Sequence, residues 1–69
     1  METHKSKKDE RENWIINIEY IASEIASYEG PDLVAWVLEK YGARSIEDIK
    51  SSDLQNVFNE LTAIKAGLN

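Results

Sequence analysis

The sequence predicts an all-α fold: a small three-helix bundle with a short extra helical turn between helices two and three. Apolar residues recur at alternating spacings of three and four along three stretches, and no stretch alternates with the period of a strand. At 69 residues the chain is long enough for one helical domain, predicted over residues 9–69, with a modest core. Amphipathic helices joined by short connections can bury their apolar faces only against each other, which gives a bundle.

Helix one is predicted from about Asp9 to Tyr28, after a disordered polar tail over residues 1–8. Gly30 and Pro31 end it, because glycine accepts a left-handed backbone and proline cannot continue the hydrogen-bond ladder. The apolar stripe of this helix consists of Trp14, Ile15, Ile18, Ile21, Ala22, Ile25 and Tyr28.

Helix two is predicted from about Asp32 to Tyr41, with Gly42 at its end, and helix three from about Asp53 to Ala66, closed by Gly67. Between them, Ser45 followed by Asp48 resembles a capping box and predicts one short turn; Ser52 with Gln55 is a second box that opens helix three. The inward residues of the two helices are Leu33, Val34, Val37, Leu38, Tyr41, Leu54, Val57, Phe58, Leu61, Ile64 and Leu68.

The net charge of −5 lies entirely in residues 14–69, where nine acidic residues face four basic ones. A surface of this sign repels phosphates, so we expect no direct binding of nucleic acid. No apolar run has the length of a signal peptide or of a membrane span, so we expect a cytoplasmic protein that does not bind membranes.

The residues that catalysis and metal binding require are absent or poorly placed. The chain has no cysteine, and its one histidine, His4, lies in the predicted tail. Acidic pairs such as Glu47 with Asp48 fall at helix ends, where capping explains them. We therefore expect no enzyme, no metal, no cofactor and no small-molecule substrate; an enzyme would need a pocket assembled across a dimer.

Three large apolar residues fall outside the predicted stripes: Ile16 and Tyr20 on helix one, and Trp36 on helix two. One interpretation is that helix one contacts neighbours on two sides, or that single apolar residues are simply exposed. The other is a protein interface formed by Ile16, Tyr20 and Trp36 and rimmed by carboxylates, since aromatic anchors within a polar rim are typical of interfaces. The rim residues would be Glu12, Glu19 and Glu39.

The function that these observations favour is binding of a protein partner, as an adaptor or regulator, or formation of a homodimer. The alternative is an acidic inhibitor that mimics nucleic acid and occupies the basic groove of a nuclease or defence system. Mimicry needs carboxylates clustered on one face, whereas Glu19, Glu24 and Glu29 are spread around helix one. Binding to a basic groove should weaken sharply with salt, and docking on an apolar surface should not.

The C-terminal half carries a resemblance, through Tyr41-Gly42-Ala43, Ser45-Ile46-Glu47-Asp48, and Val57-Phe58 with Glu60-Leu61. In these positions the stretch 41–68 resembles short uncharacterised helical proteins carried on conjugative and other mobile elements of Firmicutes. The resemblance implies an accessory gene context. It implies no activity and supplies no catalytic residues.

Overall fold

The computed structural model describes the backbone of residues 7–68 and the side chains from Glu10 to Leu68. Two 3₁₀ turns, Ile46–Asp48 and Ser51–Asp53, connect the second helix to the third. No strand occurs between residues 7 and 68, so the predicted all-α three-helix fold is confirmed. The three helices are α1 (Lys7–Glu29), α2 (Asp32–Lys40) and α3 (Leu54–Leu68).

The start of α1 differs from the prediction. Residues 1–6 of the predicted tail lie outside the described residues, but α1 already includes Lys7, two residues before the predicted start at Asp9. The first turn of a helix needs no apolar residue, because the apolar stripe of the helix can begin in a later turn. Apolar periodicity therefore located the body of α1 and missed its beginning.

Glycine ends both of the first two helices, as predicted. Gly30 (φ 83°) and Gly42 (φ 72°) adopt the left-handed conformation, which residues other than glycine rarely adopt. The Gly30 amide donates to the carbonyl of Ala26 at 2.8 Å. At the end of α2, the amides of Gly42 and Ala43 donate to the carbonyls of Glu39 and Leu38, both at 3.0 Å, and complete a Schellman motif.

The predicted caps around the connection are wrong in detail. Ser45 precedes the first 3₁₀ turn without a side-chain hydrogen bond, and the Asp48 carboxylate instead accepts the Arg44 amide at 3.0 Å. Ser52 cannot be the N-cap of α3, because it lies inside the second 3₁₀ turn, which leads directly into that helix. Gly67 does not close α3 either, because the helix continues through it to Leu68.

The core lies where the three helices face each other. The connection, the segment that joins α2 to α3, also packs against it. Its most deeply buried side chains come from α1, α2, α3 and the segment between the 3₁₀ turns: Ile18, Ile25, Val37, Ile49, Leu54, Val57 and Leu61. At the edge of the core, Trp14 and Phe58 pack edge to face with ring centroids 5.6 Å apart. Together with an ion pair between Glu24 and Lys65 (3.4 Å), this contact shows that α1 and α3 run in the same direction.

Tyr28 is the one predicted stripe residue that the structure leaves outside the core, with 63% of its surface exposed. Tyr28 lies in the last turn of α1, one turn beyond Glu24, which pairs with Lys65 of α3.

Arg11 holds the connection against α1. Its Nη1 donates to the Ile49 carbonyl at 2.8 Å and to Ser51 Oγ at 3.2 Å, and its Nη2 donates to the Glu47 carbonyl at 2.7 Å. These carbonyls lie at the end of a 3₁₀ turn, where the backbone leaves acceptors unpaired. The guanidinium, with several donors in one plane, can satisfy them together.

Candidate protein-binding surfaces

Four large apolar side chains are exposed among residues 10–68: Ile16 (60%), Tyr20 (67%), Tyr28 (63%) and Trp36 (53%). The structure thus exposes all three residues that the sequence singles out, and it adds Tyr28. Ile16 and Tyr20 are one turn apart on the outer side of α1, opposite its buried stripe. Each of these side chains leaves apolar surface in water, which a partner could cover.

Tyr20 borders an open groove between α1 and α3 of about 410 Å³, here called the α1–α3 groove. Its walls include Asn17 and Glu24 from α1 and Thr62 and Lys65 from α3. The Glu24 carboxylate, as a hydrogen-bond acceptor and as a negative charge, raises the pKa of Tyr20. The phenol therefore stays protonated and able to donate throughout the physiological pH range.

Trp36 belongs to a different cluster, between α2 and α3. The Lys40 ammonium lies over the Trp36 ring, 4.4 Å from its centroid, and forms an ion pair with Glu60 of α3. The other Glu60 oxygen accepts a hydrogen bond from the Tyr41 hydroxyl at 3.1 Å. The hydrogen bond from Lys40 lowers the pKa of Glu60. The pKa of Tyr41 is raised, because its side chain is partly buried and its hydroxyl donates to Glu60.

Trp36 and Tyr20 lie beside different sides of α3. Glu60 lies on the Trp36 side of α3, whereas Thr62 lines the groove beside Tyr20. Residues two apart on a helix point about 160° apart, so these two contacts lie on nearly opposite sides of α3. Two surfaces can therefore be distinguished: a surface on α1 with Ile16 and Tyr20, and one around Trp36 beside α3.

The predicted rim carboxylates divide in the same way, and all three are exposed. Glu12 and Glu19 lie four residues before and three residues after Ile16, so they flank the surface on α1. Glu39 lies three residues after Trp36 and flanks the second surface. Each of the two surfaces thus has an acidic rim.

The sequence did not predict a groove that lies between α1 and α2, here called the α1–α2 groove. This groove is open to solvent and has a volume of about 400 Å³. Its floor is the core itself, through Ala22, Val34 and Leu38. The walls are Glu19, Ser23 and Ala26 on α1 with Pro31 and Ala35 at α2, and Ile46 contributes from the first 3₁₀ turn. Glu19 is the one charged side chain among these lining residues.

Some of these features left a signal in the sequence that periodicity alone does not reveal. The spacing of Trp36 and Lys40, four residues apart on a helix, is compatible with a cation–π contact. Small residues on the flanks of two adjacent helices, Ser23 and Ala26 facing Ala35, indicate a seam that side chains fill poorly. Arg11 gave no signal, because its partners are backbone carbonyls 36 to 38 residues away.

Among the described residues, no group of three or more His, Cys, Asp or Glu is arranged to hold a metal ion. Within that same part of the chain, no charged or polar residue is buried, and no buried side-chain nitrogen or oxygen lacks a hydrogen-bond partner. None of its helices combines the length and the apolar character needed to cross a bilayer.

No protein-family model, curated protein or solved structure matches this chain. Its exposed side chains and grooves are therefore the observations from which a function is proposed.

Proposed function

We propose that this chain is a non-enzymatic binding module, an adaptor or regulator that associates with another protein through the surface on α1. The observation that carries the proposal is the exposure of Ile16 and Tyr20, side by side and about two-thirds accessible. Burial of apolar surface is the main driving force of association, and a tyrosine between an apolar face and a polar rim is typical of binding hot spots. Glu12 and Glu19 would supply the rim and favour a partner of complementary charge.

Nucleic-acid mimicry has less support from the arrangement of charges. Two of the nine acidic residues in positions 14–69 are paired with lysines, Glu24 with Lys65 and Glu60 with Lys40. These pairs interrupt the acidic surface on both sides of α3 with positive charge. The resemblance to proteins of mobile elements fits either function, because accessory proteins of both kinds would be expected there.

The proposal is tested by comparing two tyrosine variants of the same helix. Tyr20→Ala removes the central side chain of the surface on α1, and Tyr28→Ala removes an equally exposed tyrosine outside it. Both variants should keep the helical circular dichroism of the parent, since neither side chain belongs to the core. The parent and each variant are then immobilised and used to capture proteins from the native host.

A protein retained by the parent and by Tyr28→Ala but lost from Tyr20→Ala supports the proposal. Equal retention by all three proteins would contradict it. The salt dependence of the complex separates the two functions, because a mimic of nucleic acid should release its partner at high ionic strength and an apolar interface should not.

Self-association is measured first, by light scattering of the purified chain over a range of concentrations. A dimer that Tyr20→Ala converts to a monomer would identify a second copy as the protein bound through this surface. A monomer at all concentrations excludes a second copy and leaves a foreign protein as the partner to be sought by capture.

A further inference from the structure

The α1–α2 groove leaves part of the core uncovered. Most core side chains are 0–2% exposed, but the three that form the floor of this groove keep more: Ala22 7%, Val34 9% and Leu38 8%. Ile21, which faces the α1–α3 groove, keeps a similar 8%. The walls explain this, because Ser23, Ala26 and Ala35 are too short to close over the floor. The helix α1 also packs more extensively on α3 than on α2.

The shape of the groove fits a helix. It runs between two neighbouring helices on the side away from α3, and on α1 it extends from Glu19 to Ala26, about 10 Å or two helical turns. When a third helix packs on one side of two neighbouring helices, the other side of the pair offers an equivalent position for a helix. In four-helix bundles a fourth helix occupies that position. The short walls would let that helix approach closely and insert bulky side chains, and apolar anchors spaced by three and four residues are how helices bind such grooves.

The charges around the groove favour a basic occupant. Glu19 is the one charged lining residue, and Glu12 lies on the same side of α1, two turns before it. Three of the cations within residues 10–68 are engaged elsewhere: Arg11 with the connection, Lys40 with Glu60 and Lys65 with Glu24. A second copy of this chain, with its net charge of −5, would meet like charge here.

We propose that the α1–α2 groove binds one amphipathic helix of a partner protein. Leucine-like side chains of that helix would lie on Ala22, Val34 and Leu38, and its lysine or arginine residues would lie beside Glu19. The inference rests on the proposed protein-binding function and names the binding element of the partner and its charge. The groove shares Glu19 with the rim of the surface around Tyr20 but not its apolar residues, so variants of Ala35 and of Tyr20 test the two proposals separately.

The test uses a synthetic, covalently stapled helical peptide of about 16 residues, with leucine at positions i, i+4 and i+7 and lysine beside them. One control peptide has alanine in place of the leucines, and another has glutamate in place of the lysines. Binding is followed by fluorescence anisotropy, and the binding site is located from the amide shifts of the labelled chain. The leucine and lysine peptide should shift the amides of Ala22, Ala26 and Ala35, and both control peptides should bind more weakly.

Matched variants of the chain link the binding to the groove. Ala35→Lys places a bulky cation in the wall, and Ala63→Lys makes the same change at an exposed position of α3 outside it. We expect Ala35→Lys to weaken binding about tenfold or more, and Ala63→Lys to leave it close to the parent value. Glu19→Gln should weaken binding roughly threefold at low salt, with Glu29→Gln as its control.

Several outcomes would overturn the inference. The leucine and lysine peptide could fail to bind, or it could shift amides centred on Tyr20 or Trp36. Ala35→Lys and Ala63→Lys could weaken binding equally. The chain could also form a dimer that Ala35→Lys converts to a monomer. None of these contradicts the proposed function, which depends on the difference between Tyr20→Ala and Tyr28→Ala. Conversely, equal capture by those two variants leaves the peptide result standing.

Discussion

Single residues in this chain act mainly through the backbone that they permit or hold. Arg11 satisfies the carbonyls of Glu47 and Ile49 with one side chain and so joins the beginning of α1 to the connection before α3. Lysine could not replace it, because an ammonium lacks the planar arrangement of donors. Gly42 has the opposite role: it contributes no side chain, but its left-handed backbone lets the chain leave α2.

Two glycine substitutions should have opposite effects on stability. Gly42→Ala forces a side chain into the left-handed region at φ 72° and should lower the free energy of unfolding by about 1–2 kcal/mol. Gly67→Ala should raise it by up to about 1 kcal/mol, because Gly67 is helical and an added Cβ meets no atom within 4 Å. Urea unfolding measures both, and a loss of stability in Gly67→Ala would mean that this residue ends the helix after all.

At the scale of elements, the contact between α2 and α3 depends on a polar cluster as well as on the core. Lys40 covers the Trp36 ring and pairs with Glu60, which also accepts from Tyr41. The Lys40 side chain covers part of the Trp36 ring, and 53% of the Trp36 surface stays exposed. The α1–α2 pair has no comparable polar contact among the described residues, and its seam leaves part of the core exposed at Ala22, Val34 and Leu38.

The Glu60 cluster should make stability depend on pH. The pKa of Glu60 is lowered in the folded chain, so its contribution is complete above the unfolded value of roughly 4.3 and is lost as the pH falls through the folded value. Since Lys40 and Glu60 are partly exposed, we expect a loss of at most about 1 kcal/mol. Urea unfolding at neutral and at acid pH should show a smaller change in Glu60→Gln than in the parent.

Glu39→Gln is the control for this prediction, because Glu39 is an exposed carboxylate of α2 outside the Glu60 cluster. Its pH dependence should match that of the parent. Equal pH dependence in all three proteins would contradict a stabilising role of the Lys40 and Glu60 pair.

At the scale of the whole molecule, a chain of 69 residues has little stability to lose. Among residues 10–68, its core consists of twelve buried side chains from the three helices and the connection. A domain of this size is typically stable by only about 3–5 kcal/mol. The loss of one large core side chain can therefore unfold all of it.

Leu61→Ala should unfold much of the population at room temperature. Leu61 is fully buried in α3, and truncating such a side chain costs about 2–5 kcal/mol, comparable with the total. Tyr28→Ala should change stability by less than about 0.5 kcal/mol, because that side chain lies in solvent. Thermal unfolding followed by helical circular dichroism distinguishes the two variants. A large loss of stability in Tyr28→Ala would mean that Tyr28 belongs to the core.

The sequence by itself determined the helices, the two glycine ends and most of the core. Spacings of three and four residues reflect the helical repeat, and glycine followed by a break in that repeat marks a helix end, so both are local properties of the chain. Periodicity likewise identified Ile16, Tyr20 and Trp36 as residues outside the apolar stripes.

Only the tertiary structure decided which surfaces those residues form. Whether Trp36 lies near Tyr20 depends on where α3 packs, and whether Tyr28 is covered depends on what packs beside the last turn of α1. The α1–α2 groove exists because small side chains from two helices meet, and Arg11 is important because distant carbonyls come within its reach. These are relations between elements, and the period of one helix contains no information about the position of its neighbour.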